Sequence, residues 1–151
     1  MNTEFKIRDV ALDDVPACTD VRGKTRDNPA SAEFLVSIGF SNENTQQLLM
    51  DGKMIGSVSE FQEKVVGFCY ADPESGEIIV LALLPEHEGK GVGKALLQDV
   101  VSKMRVLGHN RLWLAASPDP NVRAHGFYRH LGWVFTGKVD EIRDQILELT
   151  F

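Results

Sequence analysis

The sequence predicts one domain of the mixed α/β class, with helices packed on the faces of its sheet. Three observations predict this class. Strand-like and helical segments alternate along all 151 residues, without a repeat, a linker or a low-complexity segment. Residues 77–84 are almost continuously apolar, which is typical of a central strand covered on both faces. Six further apolar residues share one face of a predicted helix, namely Leu96, Leu97, Val100, Val101, Met104 and Leu107.

The N-terminal third predicts one strand and three helices. Residues 5–8 alternate apolar and polar side chains, as a short half-buried strand does. Two aspartates come shortly before Pro16, which is an acceptable start for a helix that ends within residues 23–28. Two more short helices are predicted at residues 31–38 and 42–50.

The rest of the chain predicts six strands and two helices. Residues 53–61 and 64–70 are strand-like runs joined by two residues, which predicts an antiparallel hairpin. Turn residues at 72–76 lead into the apolar strand 77–84. Beyond three glycines come a helix closed by Gly108, a strand at 111–116, a helix at 122–131, and strands at 133–139 and 145–149.

Composition narrows the classes of partner. A net charge of −6 argues against broad binding to nucleic acid or anionic membranes, because both repel an acidic surface. The longest apolar run, residues 78–85, is too short to span a bilayer, and residues 1–10 lack the apolar core of a signal peptide. Cys18 and Cys69 show no metal-binding spacing, so they are predicted to be reduced thiols. We therefore expect a cytoplasmic enzyme or binding protein without a metal.

Three glycines separate the apolar strand from the next helix: Gly89, Gly91 and Gly93. A strand, a glycine turn and a helix start together present bare backbone N–H groups to a phosphate. A nucleotide P-loop does not fit, because Glu88 replaces its first glycine and Ala95 replaces its Ser or Thr. The dinucleotide fingerprint G-x-G-x-x-G does not match the spacing. A glycine turn without a ligand stays open as a further reading.

Two sets of residues, in this order, carry a family resemblance. The first follows the apolar strand and comprises Pro85, Gly89, Gly91, Gly93, Leu96 and Leu97. The second lies downstream and comprises Asn121, Ala124, Phe127, Tyr128, Gly132 and Trp133. Together they resemble the acetyl-CoA motif and the Asn-x-x-Ala-x-x-Phe-Tyr motif of the GCN5-related N-acetyltransferase (GNAT) superfamily. The resemblance implies a single GNAT-like domain over residues 1–151, with about seven strands in a mixed, mostly antiparallel sheet and helices on both faces.

The resemblance also implies an activity: transfer of the acetyl group of acetyl-CoA, the cosubstrate, to a primary amine by direct attack. The implied cofactor-binding residues are Leu81, Leu83, Glu88, Gly89, Lys90, Gly91, Val92, Gly93, Lys94 and Asn121. The Leu83 N–H would polarise the thioester carbonyl. Asn121 either contacts the pantetheine arm or caps the helix that follows. Glu88 stands where the family usually has Arg or Gln, so we expect it to point away or to be neutralised by Lys90 or Lys94.

Two residues are the candidate catalysts. Tyr128 would donate a proton to the departing thiolate, although a packed core aromatic is the structural alternative. By the resemblance, Glu77 at the start of the central strand would help to deprotonate the amine, and strand alternation is expected to put it on the face of Leu81 and Leu83. A solvated surface carboxylate is the alternative for Glu77. A route through an acetylated Cys69 is disfavoured, because nothing nearby activates that thiol.

The resemblance also implies that the wall of the acceptor site is built from residues 21–44 and residues 139–145. Phe34, Phe40, Glu33 and Glu43 predict a mixed apolar and acidic wall there, which favours a cationic amine. A non-catalytic acyl-CoA-binding sensor of the same fold and an interaction module without cofactor are the competing functions. Homodimers are common among enzymes of this family, so a homodimer is also an expectation.

Overall fold

The computed structural model describes residues 4–27 and 29–151. Its elements follow the predicted order, with boundaries shifted by one or two residues in most cases. They are β1 (Lys6–Asp9), α1 (Val15–Arg22), α2 (Ala32–Ser37), α3 (Asn42–Met50), β2 (Ile55–Phe61), β3 (Lys64–Ala71), β4 (Ile78–Leu83), α4 (Val92–Val106), β5 (Arg111–Ala116), α5 (Arg123–His130), β6 (Val134–Val139) and β7 (Gln145–Thr150). Short 3-10 turns precede α1 and α4, at Leu12–Asp14 and Pro85–His87.

The helix starts reflect local side-chain chemistry. Ser31 precedes α2, and its hydroxyl accepts a hydrogen bond from the Phe34 N–H at 3.1 Å. Ser41 does the same for the Asn44 N–H before α3, also at 3.1 Å. Each serine therefore caps its helix rather than belonging to it. The predicted end of the first helix reached residue 28, which lies outside the described residues, and α1 ends at Arg22.

The seven strands form two antiparallel sheets, which refines the expectation of one sheet. The first sheet has the order β1-β2-β3-β4, and the second has the order β5-β7-β6. Within the described residues, the sheets pair with each other only through a parallel bridge between Glu77 and Trp113. There the Trp113 N–H donates to the Gly76 carbonyl at 3.1 Å. β4 is thus central to the molecule and yet largely unpaired along one edge.

Helices cover both faces of the first sheet, as predicted. Alternate residues of β3 face opposite ways, because side chains along a strand alternate. Cys69 and Ala71 pack in a core cluster with α4, whereas Phe68 and Tyr70 pack in a second cluster with α1. The face that α4 covers and the face that α1 covers are below called the α4 face and the α1 face.

Candidate active site

The open edge of β4 carries unpaired backbone groups. The Leu84 N–H donates to the Val66 carbonyl of the neighbouring strand segment at 2.9 Å. Because successive N–H groups of a strand point to opposite edges, the N–H groups of Leu83 and Leu81 point toward β5. The sheets have already parted there. Two of the predicted cofactor contacts therefore lie along a gap that an extended ligand could enter.

The glycine turn presents a row of backbone donors beside this gap. Gly89 and Gly91 have φ values of 77° and 82°, a left-handed conformation that strains any residue with a Cβ. Gly91 is the N-cap of α4 and offers no side-chain cap, and the Ala95 N–H makes the first bond back to its carbonyl at 3.0 Å. From Gly89 to Lys94, no backbone N–H donates to any residue that the structure describes. Free donors and the helix dipole together form an anion site.

Glu88 is neutralised, but not by the partners that we expected. Its carboxylate accepts a hydrogen bond from Arg26 Nε at 2.9 Å and lies 3.5 Å from Arg123 Nη1. The Glu88 side chain is only 14% exposed. Lys90 instead extends over the Phe5 ring, 6.0 Å from its centroid. The prediction of Lys90 or Lys94 as partner was wrong, because Arg26 comes from a loop 62 residues away in sequence.

A β-bulge changes the alternation of β4. Tyr70 pairs with Val80 and Ala71 pairs with Ile78, so Ile79 has no partner in β3. One extra residue in a strand reverses the side-chain alternation beyond it. The sequence contains no glycine or proline at this position that would have signalled the bulge.

The bulge puts Glu77 on the α1 face, so the predicted alignment with Leu81 and Leu83 was wrong. Ile78 packs in the same cluster as those two leucines, and Glu77 precedes it on the opposite face. The bridge between Glu77 and Trp113 of β5 indicates the same orientation of Glu77. The two neighbours of Trp113 are buried in the α4-face cluster, so Trp113 and its partner Glu77 face the other way.

The Glu77 carboxyl is half-buried at the point where the sheets part. Burial raises the pKa of Glu77 above 4.5, and the nearby Asp72 carboxylate raises it further. A carboxylate with a raised pKa is a stronger base than one in free solution. This environment differs from the fully solvated position that was the alternative reading.

Tyr128 packs against the α4-face cluster. Its ring lies 5.2 Å from that of Phe127 and 6.1 Å from that of Trp133, both edge to face. Burial raises the pKa of Tyr128 well above 10, and the Cys69 thiol adds to this. Cys69 is directly opposite Leu81 in the sheet register. The tyrosine is thus a packed aromatic and also a protonated phenol on the face of the predicted cofactor strand.

Asn121 is exposed at the entrance to α5, and the capping alternative for it was wrong. The N-cap residue is Val122, which has no side-chain cap. The Asn121 backbone N–H donates to Asp119 Oδ1 at 2.9 Å, and its side chain has no hydrogen bond within the described part of the chain. The Arg123 N–H is satisfied by Asp27 Oδ2 at 3.0 Å. The Asn121 amide remains available to a ligand.

A cavity of about 150 Å³, partly open to solvent, lies on the α1 face between α1, α2, the start of α3 and the strands β3 and β4. It is below called the α1-face cavity. Its lining is mainly apolar and comprises Cys18, Thr19, Arg22, Phe34, Leu35, Ile38, Phe40, Thr45, Phe68, Tyr70, Ile79 and Val80. Of the four residues predicted to form the acceptor wall, Phe34 and Phe40 line this cavity, whereas Glu33 and Glu43 do not.

Neither thiol is activated. Cys18 is 1% exposed and Cys69 is fully buried. Burial raises the pKa of Cys18 to about 12 and raises that of Cys69 further. Both thiols stay protonated at neutral pH. In the described residues we find no group of three His, Cys, Asp or Glu side chains suited to hold a metal ion, and no helix with the length and apolarity to cross a membrane.

Comparison with known proteins identifies the class to which this fold and site belong. The model of the acetyltransferase (GNAT) family matches residues 23–133. The chain therefore belongs to the GNAT acetyltransferase family. No curated protein matches the sequence.

Solved structures agree on the fold. The PaiA N-acetyltransferase of Thermoplasma acidophilum, solved with coenzyme A, is 20% identical, with a TM-score of 0.82 over 99% of this chain and 100% of that one. YncA of Salmonella typhimurium, solved with acetyl-CoA, is 18% identical, with a TM-score of 0.70 over 98% and 94%. The ribosomal-protein-S18-alanine N-acetyltransferase of Escherichia coli is 17% identical, with a TM-score of 0.65 over 96% and 91%. At these identities the likeness shows the shared GNAT fold.

Proposed function

We propose that the protein is an N-acetyltransferase that transfers the acetyl group of acetyl-CoA to a primary amine by direct attack. The observation that carries the proposal is that two sets of free backbone N–H donors follow one another along the chain. The N–H groups from Gly89 to Lys94, which donate no hydrogen bond within the described residues, follow the open edge of β4 that bears the Leu81 and Leu83 N–H groups. A pyrophosphate followed by an extended amide-bearing arm fits such a surface.

The residues of this surface have distinct roles in the proposal. The turn from Glu88 to Lys94 binds the pyrophosphate, with Val92 and Gly93 as helix-start donors and Lys90 and Lys94 as flanking cations. The β4 edge holds the pantetheine arm, and the exposed Asn121 amide contacts that arm. The Leu83 N–H polarises the thioester carbonyl. Similar structures solved with CoA or acetyl-CoA support this choice of ligand.

The chemistry begins with a neutral amine. For a lysine-like amine at pH 7, losing the proton costs about 4.6 kcal/mol, from roughly 3.4 pK units. Glu77 receives that proton, directly or through water. The nitrogen lone pair then attacks the carbonyl carbon, the C–N bond forms and the C–S bond breaks. Tyr128 donates its phenolic proton to the thiolate, and the proton lost from the new amide nitrogen returns to the phenol through water.

The proposal is tested by ligand binding and by turnover. Thermal melting with acetyl-CoA, CoA and ATP should show stabilisation by the first two only. A ligand at 100 times its Kd adds about 2.7 kcal/mol to the free energy of unfolding. Release of free thiol from acetyl-CoA in the presence of an amine panel should then report turnover. Failure to turn over any amine would contradict the proposed activity.

A non-catalytic acyl-CoA sensor is the second candidate. The observation that favours it is Glu88, a carboxylate in the turn proposed to bind the pyrophosphate. Under the proposed activity, Tyr128→Phe lowers kcat by 100-fold or more, because general acid catalysis contributes about 10²–10⁴. The same variant should leave the Kd of acetyl-CoA unchanged. Tight binding of acetyl-CoA without turnover, in the wild type and in Tyr128→Phe alike, would favour the sensor.

The cytoplasmic location and the homodimer stay predictions. Analytical ultracentrifugation tests the homodimer.

A further inference from the structure

We propose that the α1-face cavity holds the substituent of the acceptor amine, and that this substituent is uncharged, mainly apolar, about the size of one aromatic ring, and carries one hydrogen-bonding atom. The inference rests on the proposed acetyl transfer and names its acceptor class.

The size and lining of the cavity set the first part of this class. An apolar protein cavity of about 150 Å³ accommodates a benzene ring. Phe34, Phe40 and Phe68 supply aromatic walls. Among the described residues, no Asp or Glu lines the cavity, so a second ammonium group would lose its hydration without gaining a counter-ion there.

Tyr70 is the reason for proposing a hydrogen-bonding atom on the substituent. The residue is 6% exposed and lines the cavity, and its hydroxyl has no nitrogen or oxygen hydrogen-bond partner in the described structure. The Cys18 thiol lies beside it, but a thiol is only a weak hydrogen-bond partner. The Tyr70 ring is fixed against Phe68 at 4.8 Å between centroids. A buried hydroxyl without a strong hydrogen-bond partner is destabilising. A hydroxyl or carbonyl on the bound substituent would satisfy it.

The position of the cavity relative to β4 connects it to the reaction. Val80 lines the cavity, is paired with Tyr70, and directly precedes Leu81 on the open edge, one residue or roughly 3.3 Å along the strand. Glu77 faces the same side of the sheet as the cavity. The cavity therefore lies on the same side of the sheet as the proposed base, Glu77, and beside the open edge proposed to hold the thioester.

The test compares amines that differ in one property. The panel is phenethylamine, its 2-, 3- and 4-hydroxy isomers, ethylamine and putrescine, with thiol release as the readout. We expect kcat/KM for phenethylamine to exceed that for ethylamine and putrescine at least 10-fold, and the best hydroxy isomer to gain a further factor of about 10. Tyr70→Phe should remove the hydroxyl gain and leave phenethylamine within 3-fold of the wild type.

A matched pair on α2 tests the wall of the cavity. Phe34 and Val36 are 52% and 59% exposed on the same helix, but only Phe34 lines the cavity. Phe34→Ala should reduce the preference for phenethylamine over ethylamine at least 5-fold, and Val36→Ala should leave it unchanged. Preference for putrescine or ethylamine, or a hydroxyl gain that survives Tyr70→Phe, would overturn this inference while leaving the acetyltransferase intact. Absence of turnover with every amine would overturn the proposed function and the acceptor site with it.

Discussion

The least expected residue of the site is Glu88, a carboxylate beside a turn built to bind an anion. Burying a carboxylate is costly unless it is paired, and the protein pairs it with two guanidinium groups. The three side chains together carry one net positive charge. Arg26 and Arg123 thus bring to the turn the cationic character that the motif position itself lacks.

This arrangement predicts that Arg26 contributes to CoA affinity. Arg26→Ala leaves Glu88 with only its partner at 3.5 Å and removes a charge near the glycine turn. We expect the Kd of CoA to rise roughly 3- to 10-fold, or about 1 kcal/mol, as measured by calorimetry. Lys24→Ala is the control, because Lys24 pairs with Asp20 on the exposed side of α1. Equal effects of the two substitutions would mean that only overall charge matters.

Glu77 determines a pH dependence if it is the base. Its pKa is raised by burial and by Asp72, so its ionised, active form is lost as the pH falls toward that raised value. We expect kcat to fall on the acid side through this ionisation. Glu77→Gln should lower kcat about 100-fold and remove that acid limb.

A neighbouring carboxylate is the control for this pH profile. Glu74 is exposed in the turn just before β4. Glu74→Gln should leave kcat and its decrease at acid pH unchanged. An unchanged acid limb in Glu77→Gln would assign the ionisation to another group.

At the scale of elements, the glycine turn depends on backbone conformation at its two left-handed residues. Gly91 begins α4 at φ 82° with open space around it, so its requirement is conformational and not steric. Gly93 has no such requirement, and a Cβ there would make ordinary contact with Phe127 at 3.7 Å.

Gly91→Ala should therefore lower the free energy of unfolding by about 1–2 kcal/mol, the cost of a left-handed residue with a Cβ. It should also weaken CoA binding by tilting the first turn of α4. Gly126→Ala is a matched control, because Gly126 lies within α5 with open space and no positive φ. That substitution should stabilise the protein slightly, by up to about 1 kcal/mol. Chemical denaturation measures both. Equal stabilities of the two variants would contradict the conformational argument.

At the scale of the whole molecule, a polar cluster ties two strands of the first sheet to α4. Lys103 forms ion pairs with Asp9 of β1 and Asp99 of its own helix, and donates to the Ser57 hydroxyl of β2 at 2.6 Å. Ser57 in turn donates to Asp99 at 2.5 Å and is fully buried. Although burial alone would raise the pKa of Asp99, the Ser57 hydrogen bond and Lys103 together lower it below 3.8.

The lowered pKa predicts how stability changes with pH. A carboxyl whose folded pKa lies below its unfolded value stabilises the protein above the unfolded pKa, and the contribution is lost as the pH falls through the folded one. Asp99→Asn should cost about 1 kcal/mol at pH 7, a modest figure because the side chain is 39% exposed. The difference from the wild type should shrink as the pH falls through the lowered folded pKa of Asp99. Asp13→Asn, at an exposed aspartate, is the control, and a loss that is independent of pH would exclude the ionised carboxylate as the cause.

The local elements were predictable to a large extent. α3 and β5 have the predicted boundaries, and the glycine turn begins α4 as expected, because capping residues, apolar spacing and glycine act over a few residues. The side of the sheet that Glu77 faces was not predictable, because the bulge at Ile79 reverses the side-chain alternation of β4 and no glycine or proline marks it in the sequence. The partners of Glu88 were not predictable either, because Arg26 lies in a distant loop and Arg123 is the first residue of α5.

The sequence by itself determined the order of strands and helices, the fold class, and the turn that offers free N–H groups to an anion. These depend on hydrophobic period and on residues with special backbone preferences, which are local properties. Only the tertiary structure decided the charge balance around Glu88, the side of the sheet that Glu77 faces, and the apolar lining of the α1-face cavity. Each of these is set by groups far apart in sequence that meet only when the sheet and its helices pack together.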